Sequence, residues 1–261
     1  MISLEIRCPP EQKDMLLAEL WAAGTAGIVE MESGLRAFFE DSADRTTLTA
    51  RFHPISWRRE EQRDWVALSR AGWEPLAVGD RFFLVPQWRN DPTPAGRFRI
   101  VVNSGMAFGT GRHETTQLCL EALERHVQPG KALLDVGTGS GILAHAAALL
   151  GAQPVWACDV DSEAARIARA ESVPHVFLGS LEAVRPESAS IIAANISRQT
   201  VVRLMPDLLR CLVPGGTAVL SGFERHEVPE VQAAVELHSG TVRDVSSKGD
   251  WAALIVARGR P

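Results

Sequence analysis

Several features that define special classes of protein are missing from this sequence. No stretch approaches the roughly 20 consecutive apolar residues that a membrane-spanning helix needs. The first residues (MISLEIR) alternate apolar with polar or charged side chains and lack the hydrophobic core of a signal peptide, so we expect a cytoplasmic protein with no membrane partner. The 27 Lys and Arg residues are outnumbered by 32 Asp and Glu residues. This mild acidity argues against direct nucleic-acid readout.

Cysteine is scarce as well. The four cysteines are widely separated and form no C-x-x-C pair: Cys8, Cys119, Cys158 and Cys211. We therefore expect reduced, mostly buried thiols and no metal site. The chain of 261 residues is 46 % apolar and 23 % charged, which excludes disorder, coiled coil and disulfide-rich mini-proteins. This length allows one large domain or two unequal ones, and we expect a monomer.

The first segment, residues 1–54, predicts a small α+β domain. Its first strand shows alternating apolar residues, Ile2, Leu4 and Ile6. A helix follows Pro9-Pro10 and ends near Gly24, with an apolar face formed by Leu16, Leu17, Leu20 and Trp21. Two further strands flank Ser33-Gly34 as a hairpin. The alternation of Leu48, Ala50 and Phe52 predicts one more strand.

A charged connector separates this domain from the rest of the chain. Residues 56–71 (SWRREEQRDWVALSRA) predict a solvated helix, and we assign residues 55–75 to a linker. The remaining residues, 76–261, form a larger domain. It opens with two strands, at 81–85 and 98–102, on either side of a Pro-rich turn.

Apolar strand segments then alternate with helical segments. The strand candidates lie at 132–136, 154–158, 176–178, 191–194 and 218–220. Such continuous apolar runs are typical of strands buried on both faces of a parallel sheet. The sequence therefore predicts a doubly wound, Rossmann-like α/β domain. The last two strand segments are joined by only five residues, 246–250, too few for a parallel crossover, so we expect an antiparallel last strand.

A glycine-rich turn follows the first strand of this alternating region, in the segment LLDVGTGSGIL (133–143). Glycines such as Gly137 and Gly139 let the backbone approach a ligand closely and place helix N–H groups beside a negative group. The spacing G-x-G-x-G differs from the G-x-G-x-x-G of dinucleotide-binding folds. Taken alone, this turn is a weak signal for a cofactor.

An acidic residue at the end of the next strand strengthens the cofactor hypothesis. Asp159 lies where a carboxylate accepts hydrogen bonds from both hydroxyls of a ribose. Asp161 has a simpler interpretation, as the N-cap of the following helix. A phosphate-bearing cofactor remains open at this point. The glycine turn and the D-V-D segment together fit S-adenosylmethionine, whose ribose suits the acid and whose carboxylate suits the helix N-terminus.

Further motifs resemble those of a known family. The segment NSGMAFGTGRHETTQLCL (103–120), the LLDVGTGSGIL turn, Asn195-Ile196 and Pro214-Gly215-Gly216 with Leu220-Ser221-Gly222 are together similar to the bacterial methyltransferases of ribosomal large-subunit protein eleven (the PrmA type). The resemblance spans most of the chain and is weakest in the first fifty-odd residues. It implies a class I S-adenosylmethionine-dependent methyltransferase fold. It also implies methylation of lysine amines, and of an N-terminal amine as an open addition, on a ribosomal protein held by the N-terminal domain.

The resemblance also implies the residues of the site. Segment 103–120 closes over S-adenosylmethionine in that family, so the implied cofactor contacts are Phe108, Gly109, Thr115, Gly137, Gly139, Asp159 and Asn195. Asn195 is the candidate catalytic residue, because its side-chain oxygen accepts an N–H of the target amine and aims the nitrogen lone pair. Its alternative role is that of a polar residue at a strand end. For His113 we favour orientation of the loop over general-base catalysis.

One departure from the family pattern concerns the substrate. Ser197-Arg198 stands where the family usually has Leu-Ala, beside the expected target pocket. The alternatives are therefore a lysine methyltransferase of another protein, such as an electron-transfer flavoprotein subunit, and a non-catalytic S-adenosylmethionine-binding module. A dehydrogenase is disfavoured by the G-x-G-x-G spacing.

Overall fold

The computed structural model describes residues 1–9, 13–31, 34–53, 56–59, 73–102, 111–170, 173 and 175–259. The chain divides into two compact units, Met1–Trp73 and Glu74–Pro261. In the part of the chain that is described, no helix is both long enough and apolar enough to cross a membrane.

The first unit is built on an antiparallel sheet of four strands in the order β2-β3-β1-β4. The strands are β1 (Ile2–Arg7), β2 (Gly27–Met31), β3 (Gly34–Phe39) and β4 (Ser56–Arg59), and the helices are α1 (Lys13–Ala22) and α2 (Arg45–Phe52). The predicted first strand, helix and hairpin are confirmed. Alternate residues of β1 and β3 pack with Leu20, Leu48 and Phe52 in one apolar core. The prediction that Trp21 lies on the apolar face of α1 is wrong, because this side chain is 57 % exposed.

The strand predicted around residues 48–52 is wrong, because this segment forms α2. Asp44 caps the helix by accepting hydrogen bonds from the backbone N–H groups of Thr46 and Thr47, at 2.9 and 3.2 Å. Leu48 and Phe52 are buried, whereas Ala50 is exposed. A separation of four residues places side chains on the same face of a helix as well as of a strand, so the apolar pattern fitted both structures.

The prediction of a helix that begins at residue 56 is also wrong for its first four residues. Ser56–Arg59 is a strand that pairs antiparallel with β1, with Trp57 opposite Leu4. The Trp57 ring packs against the core, and its Nε1 donates to Thr49 Oγ1 at 3.1 Å. β4 therefore belongs to the first unit, whose boundary lies at Trp73 and not at residue 54. The rest of the predicted connector, residues 60–72, lies outside the described residues.

The second unit begins with a small sheet. Its strands are β5 (Leu76–Val78), β6 (Phe82–Pro86) and β7 (Phe98–Val102), with β5 antiparallel and β7 parallel to β6. The two strands predicted here are confirmed. The turn between β5 and β6 is held by Glu124, whose carboxylate accepts the backbone N–H groups of Asp80 and Arg81 at 3.0 and 2.8 Å.

The main sheet has seven strands in the order β10-β9-β8-β11-β12-β14-β13. These are β8 (Leu133–Val136), β9 (Val155–Asp159), β10 (His175–Leu178), β11 (Ala189–Asn195), β12 (Leu212–Glu224), β13 (Gly240–Lys248) and β14 (Trp251–Arg258). The first five in this order are parallel, whereas β14 runs antiparallel to both of its neighbours. The predicted parallel sheet with an antiparallel last strand is confirmed.

Helices cover both faces of this sheet, as expected for a doubly wound fold. They are α3 (Glu114–His126), α4 (Ile142–Leu149), α5 (Ser162–Ala170), α6 (Arg198–Cys211) and α7 (Val228–Leu237). Leu134, Ile192 and Leu220 pack in one core with α6 and α7, whereas α3 contacts β11, β12 and β14. Because β8, β9 and β11 are parallel, their carboxyl ends meet at one edge of the sheet, where ligands bind in such folds.

Candidate active site

A cavity of about 770 Å³ lies at this carboxyl edge, entirely within the second unit. Its walls come from seven parts of the chain: the start of α3, the glycine turn after β8 with the start of α4, the end of β9 with α5, the loop after β10, the end of β11 with α6, Gly222 of β12, and the start of β14. The sequence predicted four of these walls, at Thr115, at Gly137 and Gly139, at Asp159 and at Asn195. The structure brings all five residues to the same cavity.

The glycine turn needs glycine for two separate reasons. Gly137 and Gly139 have φ angles of 69° and 54°, in the left-handed region that favours glycine. A Cβ atom at Gly137 would also lie 2.3 Å from Cγ2 of Ile196, closer than real Cβ contacts allow. The turn thus packs tightly against the residue after Asn195, and this contact joins two walls of the cavity.

The buried carboxylate of Asp135 is hydrogen-bonded to the glycine turn. Asp135 Oδ2 accepts hydrogen bonds from Thr138 Oγ1 at 2.7 Å and from the backbone N–H of Ala144 at 3.1 Å. It thereby connects β8, the turn and α4. Burial raises the pKa of the Asp135 carboxyl to about 6, against the stabilising effect of these two donors. Sequence reasoning did not single out Asp135, although an acidic residue inside an apolar strand was the available signal.

Asp159 organises the adjacent wall. Its Oδ2 accepts the backbone N–H of Gly139 at 2.9 Å, and its Oδ1 accepts that of Asp161 at 3.0 Å. Asp161 in turn accepts the N–H of Glu163 at 2.8 Å at the start of α5, so its predicted capping role is confirmed. Val160, between the two acids, is 76 % exposed and presents an apolar surface to the cavity.

Asn195 is the last residue of β11 and faces the start of α3. Its Nδ2 donates to Thr116 Oγ1 at 3.3 Å. Its Oδ1 is inaccessible to solvent and has no hydrogen-bond partner among the described residues. Buried acceptors are nearly always paired in proteins, so Oδ1 is an exception at the end of this strand.

The first turn of α3 forms the wall opposite the glycine turn. His113 is the N-cap of this helix, and its Nδ1 accepts the backbone N–H of Thr115 at 3.4 Å. The same Nδ1 lies 2.8 Å from Thr115 Oγ1. Both residues line the cavity, although Thr115 is only 1 % exposed. The geometry agrees with an orienting role for His113.

Comparison with known proteins identifies the family. The chain matches the family described as "Ribosomal protein L11 methyltransferase (PrmA)" over residues 30–259. This chain belongs to that family. It is 32 % identical to a ribosomal protein L11 methyltransferase of Synechococcus elongatus over 97 % of this chain and 95 % of that protein. A solved structure of a ribosomal protein L11 methylase from Lactobacillus delbrueckii subsp. bulgaricus is 28 % identical, with a TM-score of 0.66 over 72 % of this chain and all of that chain.

Two residues that the resemblance implied as cofactor contacts, Phe108 and Gly109, lie outside the described residues. Several cavity residues were missed by sequence reasoning: Thr138, Val160, Ser180, Thr200, Arg203, Leu204, Gly222 and Trp251. Ser180 follows shortly after β10, and the common edge of parallel strands was a signal that could have found it. Trp251 begins the antiparallel last strand, and it lies at the same edge because it pairs with Glu224 at the end of β12.

The departure from the family pattern, Ser197-Arg198, has a structural explanation. Ser197 precedes α6, with its hydroxyl 3.0 Å from that of Thr200. The Arg198 guanidinium turns to the start of α7, where Nε donates to the N-cap residue Glu227 at 2.8 Å and Nη1 donates to Glu230 in the first turn. Arg198 is thus held between two carboxylates at the first position of α6.

One thiol lies in the cavity wall. Burial raises the pKa of Cys158 to about 12, so it remains a neutral thiol at physiological pH. All four cysteines are free and three are buried, as predicted.

Proposed function

We propose that this enzyme transfers methyl groups from S-adenosylmethionine to amino groups of ribosomal protein L11. The observation that carries the proposal is the similarity, over 97 % of the chain, to an L11 methyltransferase. The amines are lysine side chains, with the N-terminal amine as a further target. A ribosomal protein substrate also supports a cytoplasmic location.

The residues of the cavity fit S-adenosylmethionine. Each oxygen of Asp159 accepts one backbone N–H, and a carboxylate oxygen has a second lone pair free for a ribose hydroxyl. The turn at Gly137 and Gly139 and the N-terminus of α4 suit the methionine carboxylate. The exposed apolar side chain of Val160 suits one face of the adenine ring. Bound S-adenosylmethionine supplies an electrophilic methyl group on a sulfonium.

The protein's contribution is to hold the target nitrogen near that methyl group, about 3 Å away and opposite the sulfur. The nitrogen must be uncharged, whereas a free lysine amine has a pKa of roughly 10.4. Desolvation in the cavity lowers this pKa and releases the proton to water. Asn195 Oδ1 then accepts a remaining N–H of the amine, which leaves the nitrogen lone pair free for attack.

The first unit, Met1–Trp73, recognises the protein substrate in this proposal. Support comes from its separate core and from the location of the whole cavity in the second unit. The target amine can therefore be selected by contacts remote from the reacting atoms.

Binding of the methyl donor is tested by calorimetry with S-adenosylmethionine and NAD. We expect S-adenosylmethionine to bind and NAD not to bind. Asp159→Ala should weaken it roughly 10- to 150-fold, the equivalent of one hydrogen bond to a charged group. Asp161→Asn, which keeps an acceptor for the helix cap, is the matched control and should bind normally. If Asp159→Ala binds S-adenosylmethionine as tightly as the wild type does, Asp159 does not bind the ribose.

Substrate identity is tested with labelled S-adenosylmethionine and two purified substrates, ribosomal protein L11 and an electron-transfer flavoprotein subunit. We expect label in L11, at a rate that rises with pH into the alkaline range because the amine must lose its proton. Label in the flavoprotein subunit alone would establish the alternative substrate, and label in neither would favour a non-catalytic binding module.

A further inference from the structure

Another cavity belongs to the first unit. It is an open groove of about 580 Å³ between α2 and β4, and its lining residues are Arg45, Thr46, Thr49, Ala50 and Trp57. All five belong to the unit Met1–Trp73, whereas every residue that lines the active-site cavity belongs to the second unit. The chemistry of methyl transfer therefore makes no use of this groove.

The two elements that border the groove are strongly basic. The eight residues of α2 and the four of β4 include Arg45, Arg51, Arg58 and Arg59 and no Asp or Glu, although the chain as a whole has a formal net charge of -5. Arg58 lies 3.5 Å from Glu5, whereas the other three arginines form no salt bridge among the described residues. These two elements thus carry positive charge that the described residues do not neutralise.

Arg45 lies above the indole of Trp57. Its Cζ atom is 5.1 Å from the ring centroid, which is a cation–π contact. The indole is itself fixed, because its ring packs against the core of the first unit and its Nε1 donates to Thr49 Oγ1 at 3.1 Å. A guanidinium that stacks on a ring keeps N–H groups at its edge, where a carboxylate can accept two parallel hydrogen bonds.

The carboxylate nearest to Arg45 in the sequence is engaged elsewhere. Asp44 accepts the Thr47 hydroxyl at 2.6 Å and the backbone N–H groups of Thr46 and Thr47. These hydrogen bonds, that of the Thr47 hydroxyl above all, lower the pKa of the Asp44 carboxyl. The guanidinium of Arg45 is therefore left to bind a carboxylate that a partner supplies.

We propose that this groove binds an acidic segment of the protein substrate, in which an Asp or Glu side chain pairs with Arg45. This inference rests on the proposed role of the first unit in substrate recognition. An apolar neighbour in the same segment contacts Ala50 and the indole of Trp57, which also line the groove. Nucleic acid fits less well, because one arginine alone lines the groove and a phosphate backbone needs several neutralising cations.

Arg45→Glu tests the proposal in the full-length enzyme with L11 and S-adenosylmethionine. We expect the KM for L11 to rise roughly ten-fold with kcat unchanged, because a binding contact remote from the reacting atoms is lost. Arg45→Lys keeps the charge without the bidentate edge and should give an intermediate KM. If the glutamate variant proves unstable, Arg45→Gln is measured in the same way. An unchanged KM for L11 would overturn the proposal.

Two further measurements on Arg45→Glu exclude a general defect. The dissociation constant of S-adenosylmethionine and the KM for a short lysine peptide should both stay within about two-fold of wild type. A loss of either that matches the change in the KM for L11 would overturn the proposal, since damage to the whole enzyme would then explain all three.

Arg51→Glu is the matched control. Arg51 lies in the same helix, with its Cζ 5.1 Å from the ring centroid of Phe52, but it does not line the groove. The change of charge is identical, so the KM for L11 should stay within about two-fold of wild type if the groove is the binding site. Equal rises in the two variants would overturn the proposal, since long-range attraction to α2 would then explain both.

A charge swap identifies the partner residue. Each exposed Asp and Glu of L11 is replaced in turn by Arg, and each variant is methylated by the wild-type enzyme and by Arg45→Glu. One substitution should raise the KM with the wild type and lower it with Arg45→Glu, as expected for two side chains in contact. If no L11 variant lowers the KM of Arg45→Glu, the groove does not bind an acidic segment.

A binding assay separates a protein partner from nucleic acid. The probes are a fluorescent peptide of alternating Glu and Leu and a fluorescent oligouridylate of equal charge. We expect the peptide to bind the wild type and to bind Arg45→Glu more weakly. Binding of the oligouridylate alone, lost in the same variant, would overturn the proposal in favour of a nucleic-acid site.

The same experiments separate this inference from the proposed function. If the wild type does not methylate L11, the proposed function fails. If the wild type and Arg45→Glu methylate L11 with the same KM, the proposed function stands and only the inference about the groove fails.

Discussion

The imidazole of His113 meets the indole of Trp251 edge to face, with ring centroids 4.6 Å apart and ring planes at 67°. This contact joins the N-cap of α3 to the start of β14, two elements separated by most of the second unit in sequence. Edge-to-face pairs add roughly 0.5–1.5 kcal/mol beyond their buried area. The pair therefore stabilises the cavity wall and keeps His113 in place as the N-cap of α3.

His113→Ala should lower the free energy of unfolding by about 1 kcal/mol, because α3 loses its N-cap acceptor. His113→Asn supplies another N-cap acceptor and should recover part of this loss. Urea unfolding measures both effects. His175→Asn is the control, since His175 is an exposed residue stacked on Trp156. If methylation by His113→Asn is as slow as by His113→Ala although stability is recovered, His113 is a general base.

Asp135→Asn should change how stability depends on pH. The pKa of this carboxyl is raised to about 6 from its ordinary value of 3.8, so its ionisation above about pH 6 destabilises the folded state. The free energy of unfolding of the wild type therefore rises as the pH falls through 6 towards 3.8, whereas the asparagine variant lacks this rise. The rise should reach roughly 1 kcal/mol between about pH 8 and pH 5, and roughly 3 kcal/mol in all.

Urea unfolding of both proteins across this pH range provides the measurement. The difference in unfolding free energy, wild type minus Asp135→Asn, should become more positive as the pH falls. A difference independent of pH would mean that the Asp135 carboxyl has an ordinary pKa in the folded protein.

Arg198→Ala introduces the residue that the family usually has at this position. We expect a lower melting temperature, because Glu227 and Glu230 lose their shared cation. The methylated positions on L11, mapped by mass spectrometry, should not change. Arg166→Ala is the control for an exposed ion pair, since Arg166 contacts Glu163 within α5 and is 67 % exposed. A shift in the methylated positions would show that Arg198 selects the substrate.

A fragment of residues 74–261 tests whether the first unit recognises the substrate while the second unit binds the cofactor. It should bind S-adenosylmethionine with nearly the affinity of the full chain, because the cavity lies within the second unit. Methylation of folded L11 should collapse, mainly through a raised KM, since the lost contacts are remote from the reacting atoms. A short lysine peptide is the control substrate and should be methylated equally by both proteins. Joint loss of melting temperature and cofactor affinity would show that the first unit stabilises the second.

Prediction from sequence succeeded where the signal was local. The apolar runs that became β8, β9 and β11 are bounded by turn residues. β8 and β11 are buried on both faces of the sheet, whereas Trp156 of β9 is 45 % exposed. The prediction failed at Leu48 and Phe52, because their spacing of four residues suits a helix as well as a strand. This segment forms a helix, which is capped by Asp44. The prediction failed at Ser56–Arg59 because strand formation there depends on the edge of β1, more than forty residues away.

The sequence by itself determined the chemistry available to this protein. The glycine turn follows β8, and Asp159 and Asn195 are the last residues of β9 and β11. The parallel order of these strands brings their ends together at one edge. Only the tertiary structure decided how these groups are held. It placed Thr116 beside Asn195 and Trp251 beside His113, because α3 packs across the sheet. These pairs are fixed by helix-to-sheet packing over long separations, and no local pattern in the sequence encodes such a contact.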